Sequence, residues 1–271
     1  MGMKIGIIIP AAGASQRYQQ VGGVRSKLDE DLGGKTVLQR SVELFSKVQS
    51  ADWDVGTVVV AGPHDEAAFQ EFKDRHGDRL GFLGVTLCKG GKTHRYETVA
   101  AALKHISSDH THVAVHDAAR PCAPIEMVER LFDAAARFAA VVPGIEASDT
   151  LKRTTQTQDS GHHDPLAAIL GTDASTEPVQ KRIVRETIER SQVFAIQTPQ
   201  VFRLDLLTRA YAQKDLSSTD DAGLVERLGE EVVVEAGDIR NLKITRPGDM
   251  ALARAILSVK DSDDRPAFKR F

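Results

Sequence analysis

Short β-branched runs alternate with amphipathic helical stretches through the first half of the chain. "KIGIIIP", "GTVVVAG", "FLGVTLCK", "HVAVHD" and "AAVVPG" lack strict apolar/polar alternation, the pattern expected of parallel strands covered on both faces. Between them "TVLQRSVELFSKV", "DEAAFQEFKDRH", "HRYETVAAALKHI" and "IEMVERLFDAAARF" repeat apolar residues at three- and four-residue spacing. Strand and helix in regular succession predict βαβ units and an α/β fold with a doubly wound, mostly parallel, Rossmann-like sheet. In such sheets ligands bind beyond the carboxyl ends of the strands, here the loops after Ile9, Cys88 and His116. At 271 residues and 41% hydrophobic content the chain can bury one large core, so 1–271 reads as a single domain.

After Thr150 the rhythm breaks. "RTTQTQDSGHHDPLAAILGTDASTEPVQKR" is polar and too long for an ordinary connection. Residues 150–195 therefore read as a protruding arm with an enlarged polar loop, 153–182. Its flanks, "SDTLKR" and "KRIVRETIERSQVFAIQTPQVF", suit extended strands. Helices at "RLDLLTRAYAQK" and "TDDAGLVERLG", a strand at "EVVVEAG" and a helix after Pro247 complete the pattern, and 260–271 reads as a loose tail.

The net charge of -3 gives no bulk positive field, so neither nucleic acid nor a membrane is expected as a partner, and a phosphate ligand would need a local cluster of cations. Ile5 to Ile9 is too short to span a bilayer. Cys88 and Cys122 lack the spacing of a zinc site or disulfide framework, which fits a cytoplasmic location.

"IIPAAGASQRYQQVGGVRSK" poses the chemical question. Its "PAAGASQRY" lacks the second and third glycines of the dinucleotide fingerprint, and neither "GGKT" has the glycine a P-loop requires. The small residues Ala11, Ala12, Gly13 and Ala14 let backbone N–H groups approach an anion, with Arg17 and Lys27 behind them, which suits a triphosphate. Taken alone, the same loop is equally a βα turn with solvated basic residues.

The ordered set "IIPAAGASQR…SK", "GGKTHRYETV", "VHDAARP", "DTLKR", "QTPQVF", "STDDAGLVERLG" and "NLKITRPGDMALA" resembles the 2-C-methyl-D-erythritol 4-phosphate cytidylyltransferase family over almost the whole chain. The resemblance implies a nucleotidyltransferase fold with an extended β-arm that dimerises the protein by exchange. It implies transfer of CMP from CTP to 2-C-methyl-D-erythritol 4-phosphate in non-mevalonate isoprenoid synthesis, with Mg2+ held mainly by the CTP phosphates rather than by a dedicated protein cage. Carried over residue by residue, it assigns Arg17 and Lys27 to catalysis. Ala11, Ala12, Gly13, Gly90, Gly91, Lys92, Thr98, Asp117, Ala118 and Arg120 fall to the nucleotide, and Thr150, Arg190, Thr198, Thr219 and Lys243 to the acceptor, with Arg190 serving the neighbouring protomer. An anionic acceptor phosphate needs no general base, so positioning and fixed cations must lower the barrier.

Plainer readings stand beside these. His116 at a strand end packs and orients its loop, His162, His163 and Asp164 form a solvated tip, and Thr219 caps a helix. Where the family runs Pro-Lys-Gln and an aromatic, this chain reads Ser26, Lys27, Leu28 and Asp29. Alternative functions are CMP transfer to another polyol phosphate such as ribitol phosphate, and a catalytically weak nucleotide-binding regulator.

Overall fold

The computed structural model describes residues 2–13, 16–23, 25–158 and 180–260. The tail 261–271 and the "GHHDP" tip of the polar loop lie outside these described residues. In chain order the strands are β1 (Met3–Pro10), β2 (Trp53–Gly62), β3 (Thr86–Lys89), β4 (His112–Val115), β5 (Ala140–Glu146), β6 (Leu151–Gln158), β7 (Gln180–Ile188), β8 (Phe194–Ile196), β9 (Gln200–Arg203) and β10 (Val233–Ala236). The helices are α1 (Gln16–Gln19), α2 (Val37–Glu43), α3 (Glu66–Gly81), α4 (Arg95–Leu103), α5 (Ile125–Ala135), α6 (Leu204–Tyr211), α7 (Ala222–Glu226) and α8 (Gly248–Ile256).

Seven strands of the main sheet run in the order β10-β5-β9-β4-β1-β2-β3. Every pair along this path is parallel except those of β9, which enters antiparallel between β4 and β5. Ile5, Ile7, Ile8 and Ile9 of β1 are all fully buried because helices cover both faces, which explains the missing alternation. Ile5, Ile7 and Ile9 share a core with residues of α2, α3, α5 and α8, whereas Ile8 packs with Val59, Val113 and residues of α4 and α6. Local signals set the helix starts. Thr36 caps α2 by accepting from Gln39 N–H at 3.1 Å, and Asp65 caps α3 by accepting from Ala68 N–H at 3.0 Å.

The chain winds outward from β1 to β2 and β3, then returns to place β4 on the other side of β1. That reversal opens a crevice at the carboxyl ends of β1 and β4. The strand within "FLGVTLCK" begins only at Thr86, because Phe82 to Val85 turn the chain out of α3 around Gly84 at φ +69°.

Glu146–Ala195 forms a compact unit of its own. Within it β6 and β7 pair antiparallel from Leu151↔Ile188 to Gln158↔Gln180, with an irregularity between Arg153 and Thr154. "QTPQVF", read as arm from the sequence, belongs instead to the main unit: Val201 and Phe202 are fully buried in the central sheet.

Candidate active site

A cleft of about 610 Å³ opens at the reversal between β1 and β4, a size suited to a small-molecule ligand. The loop after β1 supplies Ala12 and Gly13, anchored where Ala11 N–H donates to the Ala61 carbonyl at 2.7 Å. Tyr18 closes the same side. It is buried, and burial together with the neighbouring Glu30 carboxylate pushes its hydroxyl up to about 12.

The second wall follows β3. Gly90 N–H donates to the Gly62 carbonyl at 2.8 Å and Gly91 N–H to Thr98 Oγ1 at 3.1 Å. Glycine is required at both positions by close approach: a Cβ on Gly90 would stand 2.6 Å from the Gly62 carbonyl oxygen, and one on Gly91 2.1 Å from Glu97 Cβ. Glu97 caps the first turn of α4, accepting from Thr93 N–H at 2.8 Å and His94 N–H at 3.1 Å. These backbone donors hold its carboxyl below the ordinary glutamate range.

Asp117, just past β4, gathers three cations. Its Oδ2 lies 2.7 Å from Lys243 Nζ and 3.3 Å from Arg120 Nε, and its Oδ1 lies 3.8 Å from Arg95 Nε. Burial alone would raise this carboxyl, but Lys243, Arg95 and Arg120 outweigh it and hold it well below the carboxylate range. Arg95 reaches on to Asp221 at 2.8 Å. Burial opposes its charge, yet Asp221 and Asp117 together raise its pKa. Asp221 is 1% exposed and also accepts from the Tyr211 hydroxyl, while its N–H donates to Gln200 Oε1 at 3.2 Å. The cations are thus held in place by buried acceptors before any ligand arrives, a preorganised site for anionic oxygens.

His116 belongs to the support of this cluster. It is fully buried, edge-on to Phe45, with Nε2 donating to the Arg120 carbonyl at 3.1 Å and Nδ1 3.3 Å from Thr198 Oγ1. Thr198 Oγ1 in turn accepts from Asp117 N–H at 2.9 Å. Burial brings the His116 pKa down to about 4, so the neutral ring orients the loop.

Of the residues singled out from sequence, Ala12, Gly13, Lys27, Gly91, Lys92, Thr98, Asp117, Ala118 and Lys243 line this cleft. Ala11, Gly90, Arg120 and Thr198 sit directly behind it through the bonds just given. Lys27 Nζ donates to the Ile244 carbonyl at 3.1 Å, next to Lys243. Arg17 lies on α1, and its side chain is outside the described residues. Thr150 and Arg190 are exposed residues of the Glu146–Ala195 unit, where Arg190 donates to the Ser148 carbonyl. Thr219 is exposed and is not part of the lining; Asp220 rather than Thr219 accepts from the Gly223 N–H of α7, at 3.1 Å. Sequence reasoning missed Arg95, Asp221 and Asn241. Asn241 is fully buried and donates to the Thr198 carbonyl at 2.8 Å, while its backbone carbonyl accepts from Arg120 at 2.7 Å. Arg95 stands inside "GGKTHRYET" and Asp221 inside "TDDAG", so both motifs were visible although their mutual pairing was not.

The 2-C-methyl-D-erythritol 4-phosphate cytidylyltransferase family model matches residues 5–165 and 159–259. The chain is 36% identical over 268 residues to the 2-C-methyl-D-erythritol 4-phosphate cytidylyltransferase of Solibacter usitatus, covering 94% of this chain and 96% of that protein. It is 32% identical to the enzyme of the same name from Geobacillus thermodenitrificans, covering 93% and 96%. The crystal structure of 2-C-methyl-D-erythritol 4-phosphate cytidylyltransferase from Thermus thermophilus superposes with a TM-score of 0.66 at 28% identity, covering 95% of this chain and all of that one.

Proposed function

The chain belongs to the 2-C-methyl-D-erythritol 4-phosphate cytidylyltransferase family, and on that premise we propose how its cleft performs the reaction. The activity is CTP-dependent cytidylyl transfer in isoprenoid biosynthesis. An oxygen of the acceptor's phosphate attacks the α-phosphorus of CTP, the bond from that phosphorus to the β-phosphate bridging oxygen breaks, and the electron pair leaves with pyrophosphate. The acceptor is 2-C-methyl-D-erythritol 4-phosphate.

The observation that carries this reading is the meeting in one cleft of the small-residue loop, the Gly91–Thr98 wall and the cation cluster around Asp117. Ala11, Ala12 and Gly13 offer backbone to the triphosphate. Gly90, Gly91, Lys92 and Thr98 take the cytosine, where the close-packed glycine backbone leaves room for a pyrimidine. Asp117, Ala118 and Arg120 face the ribose side. Arg17 and Lys27 stabilise charge at the α-phosphate. Lys243 meets the acceptor phosphate, and Thr198 serves it by holding the Asp117 loop.

Among the described residues no three His, Cys, Asp or Glu side chains gather, and Asp117 is the one carboxylate in the cleft lining. The metal proposed is Mg2+ carried by the nucleotide's own phosphates, since both oxygens of Asp117 are already met by Lys243, Arg120 and Arg95. When bound, the ion would neutralise triphosphate charge. The arm, with exposed Ile183 and Val184, fits a homodimer in which Thr150 and Arg190 complete the neighbouring protomer's acceptor site. Among the described residues no helix is long and apolar enough to cross a membrane; a cytoplasmic enzyme without a nucleic-acid partner is the corresponding proposal.

Pyrophosphate release measured with CTP and a panel of polyol phosphates tests the reading. Turnover is expected with 2-C-methyl-D-erythritol 4-phosphate, to cease in excess EDTA and to return with Mg2+. Preferential turnover of ribitol phosphate would overturn the acceptor, and undiminished turnover in EDTA the metal.

A further inference from the structure

Lys27 stands on a tight turn whose far end is fastened to α3. Asp29 N–H donates to the Ser26 carbonyl at 2.9 Å, closing the turn around Lys27 and Leu28. Leu28 is buried, and its carbonyl accepts from Leu38 N–H at 3.2 Å, which seats the turn on α2. Two residues beyond Lys27, both oxygens of the Asp29 carboxylate are spent on one helix. Oδ1 is 2.7 Å from His76 Nε2 and Oδ2 accepts from Arg75 Nη1 at 2.7 Å.

His76 is 3% exposed and its ring packs on Phe72 with centroids 4.8 Å apart. Its Nε2–H therefore has a fixed direction, and Asp29 has little freedom to move. None of Asp29, Arg75 and His76 lines the cleft. What they fix is the base of a long, flexible lysine stem, and a point charge on such a stem helps a transition state only when its base is held.

We propose that Asp29 is a positioning residue for cytidylyl transfer, aiming Lys27 through its paired bonds to Arg75 and His76. This rests on reading Lys27 as the cation at the α-phosphate. Loosening Asp29 then slows the chemical step while leaving nucleotide capture intact, because the cytosine and ribose contacts belong to the Gly91, Thr98 and Asp117 walls.

The test is steady-state kinetics of the whole chain with CTP, Mg2+ and 2-C-methyl-D-erythritol 4-phosphate. It compares Asp29→Asn, Arg75→Ala, Lys27→Ala and the double variant Lys27→Ala/Asp29→Asn. Asp29→Asn is expected to lower kcat about 10-fold with KM for CTP within about twofold. Arg75 is half exposed, so Arg75→Ala retains the fold and lowers kcat in the same direction; it decides the matter if Asp29→Asn does not fold. In the double variant the Asp29 substitution should add less than about twofold, since the residue it aims is gone. Normal kcat for Asp29→Asn or, failing its folding, for Arg75→Ala, alongside an impaired Lys27→Ala, would overturn the proposal. So would an undiminished Asp29 effect in the Lys27→Ala background. Normal kcat for Lys27→Ala itself would instead remove the underlying reading of Lys27.

Discussion

At the scale of single residues, the site works by pairing part-exposed cations, Lys243 and Arg95, with the largely buried carboxylates Asp117 and Asp221. Lys27→Ala removes a cation proposed to act only on the transition state, so kcat should fall roughly 100-fold or more with folding retained; stopped assays beside thermal melts check this. His116 offers a pH test. Its folded pKa of about 4 lies below the ordinary 6.5, so the unfolded chain binds that proton more tightly. The His116 contribution is fully present above about pH 6.5 and is lost as pH falls toward 4, amounting to ~3 kcal/mol at most. Urea unfolding of wild type and His116→Gln between pH 7 and 4.5 should show their difference shrinking as acid is added, and a constant difference would mean the ring is not held neutral. Residue types at the site were legible from "HDAARP" and "NLKITRP". Their partners were not, because Asp117 with Lys243 and Arg95 with Asp221 pair across more than a hundred residues of chain, and spacing within a motif carries no record of such contacts.

At the scale of elements, the strand-helix rhythm gave away the parallel sheet because its central strands β1, β4 and β5 are buried on both faces and so lose their alternation. The same logic failed for β9. "QVF" is too short to show whether it pairs within an arm or in a core, and its antiparallel place between β4 and β5 is set by tertiary packing of Val201 and Phe202. Helix α4 carries the sharpest prediction here. A Cβ on Gly91 would collide with Glu97 Cβ and approach Thr98 N to 2.8 Å, so Gly91→Ala must push the first turn of α4 away from the cleft. It should cost about 1–3 kcal/mol in stability and raise KM for CTP, readable by chemical unfolding and by nucleotide titration.

At the scale of the whole molecule, the proposed homodimer makes each active site a joint product of two chains. Lys27→Ala and Arg190→Ala should each be inactive alone, whereas mixing equal amounts under subunit exchange makes about half the dimers hybrid and restores roughly a quarter of wild-type activity. Confirmed exchange without recovery would remove the shared site. The polar composition of 150–195 marked a break in the strand-helix rhythm, where the compact unit Glu146–Ala195 lies, but polarity does not encode what such a unit meets. The central claim is direct displacement at the α-phosphorus by the acceptor's own phosphate, with fixed cations and no covalent enzyme intermediate. Purified protein incubated with CTP labelled at the α-phosphate, Mg2+ and 2-C-methyl-D-erythritol 4-phosphate should place all transferred label in the diphosphocytidyl product, one pyrophosphate for each, and none on the chain. Label bound covalently to the protein before acceptor is added, and chased into product afterwards, would contradict it.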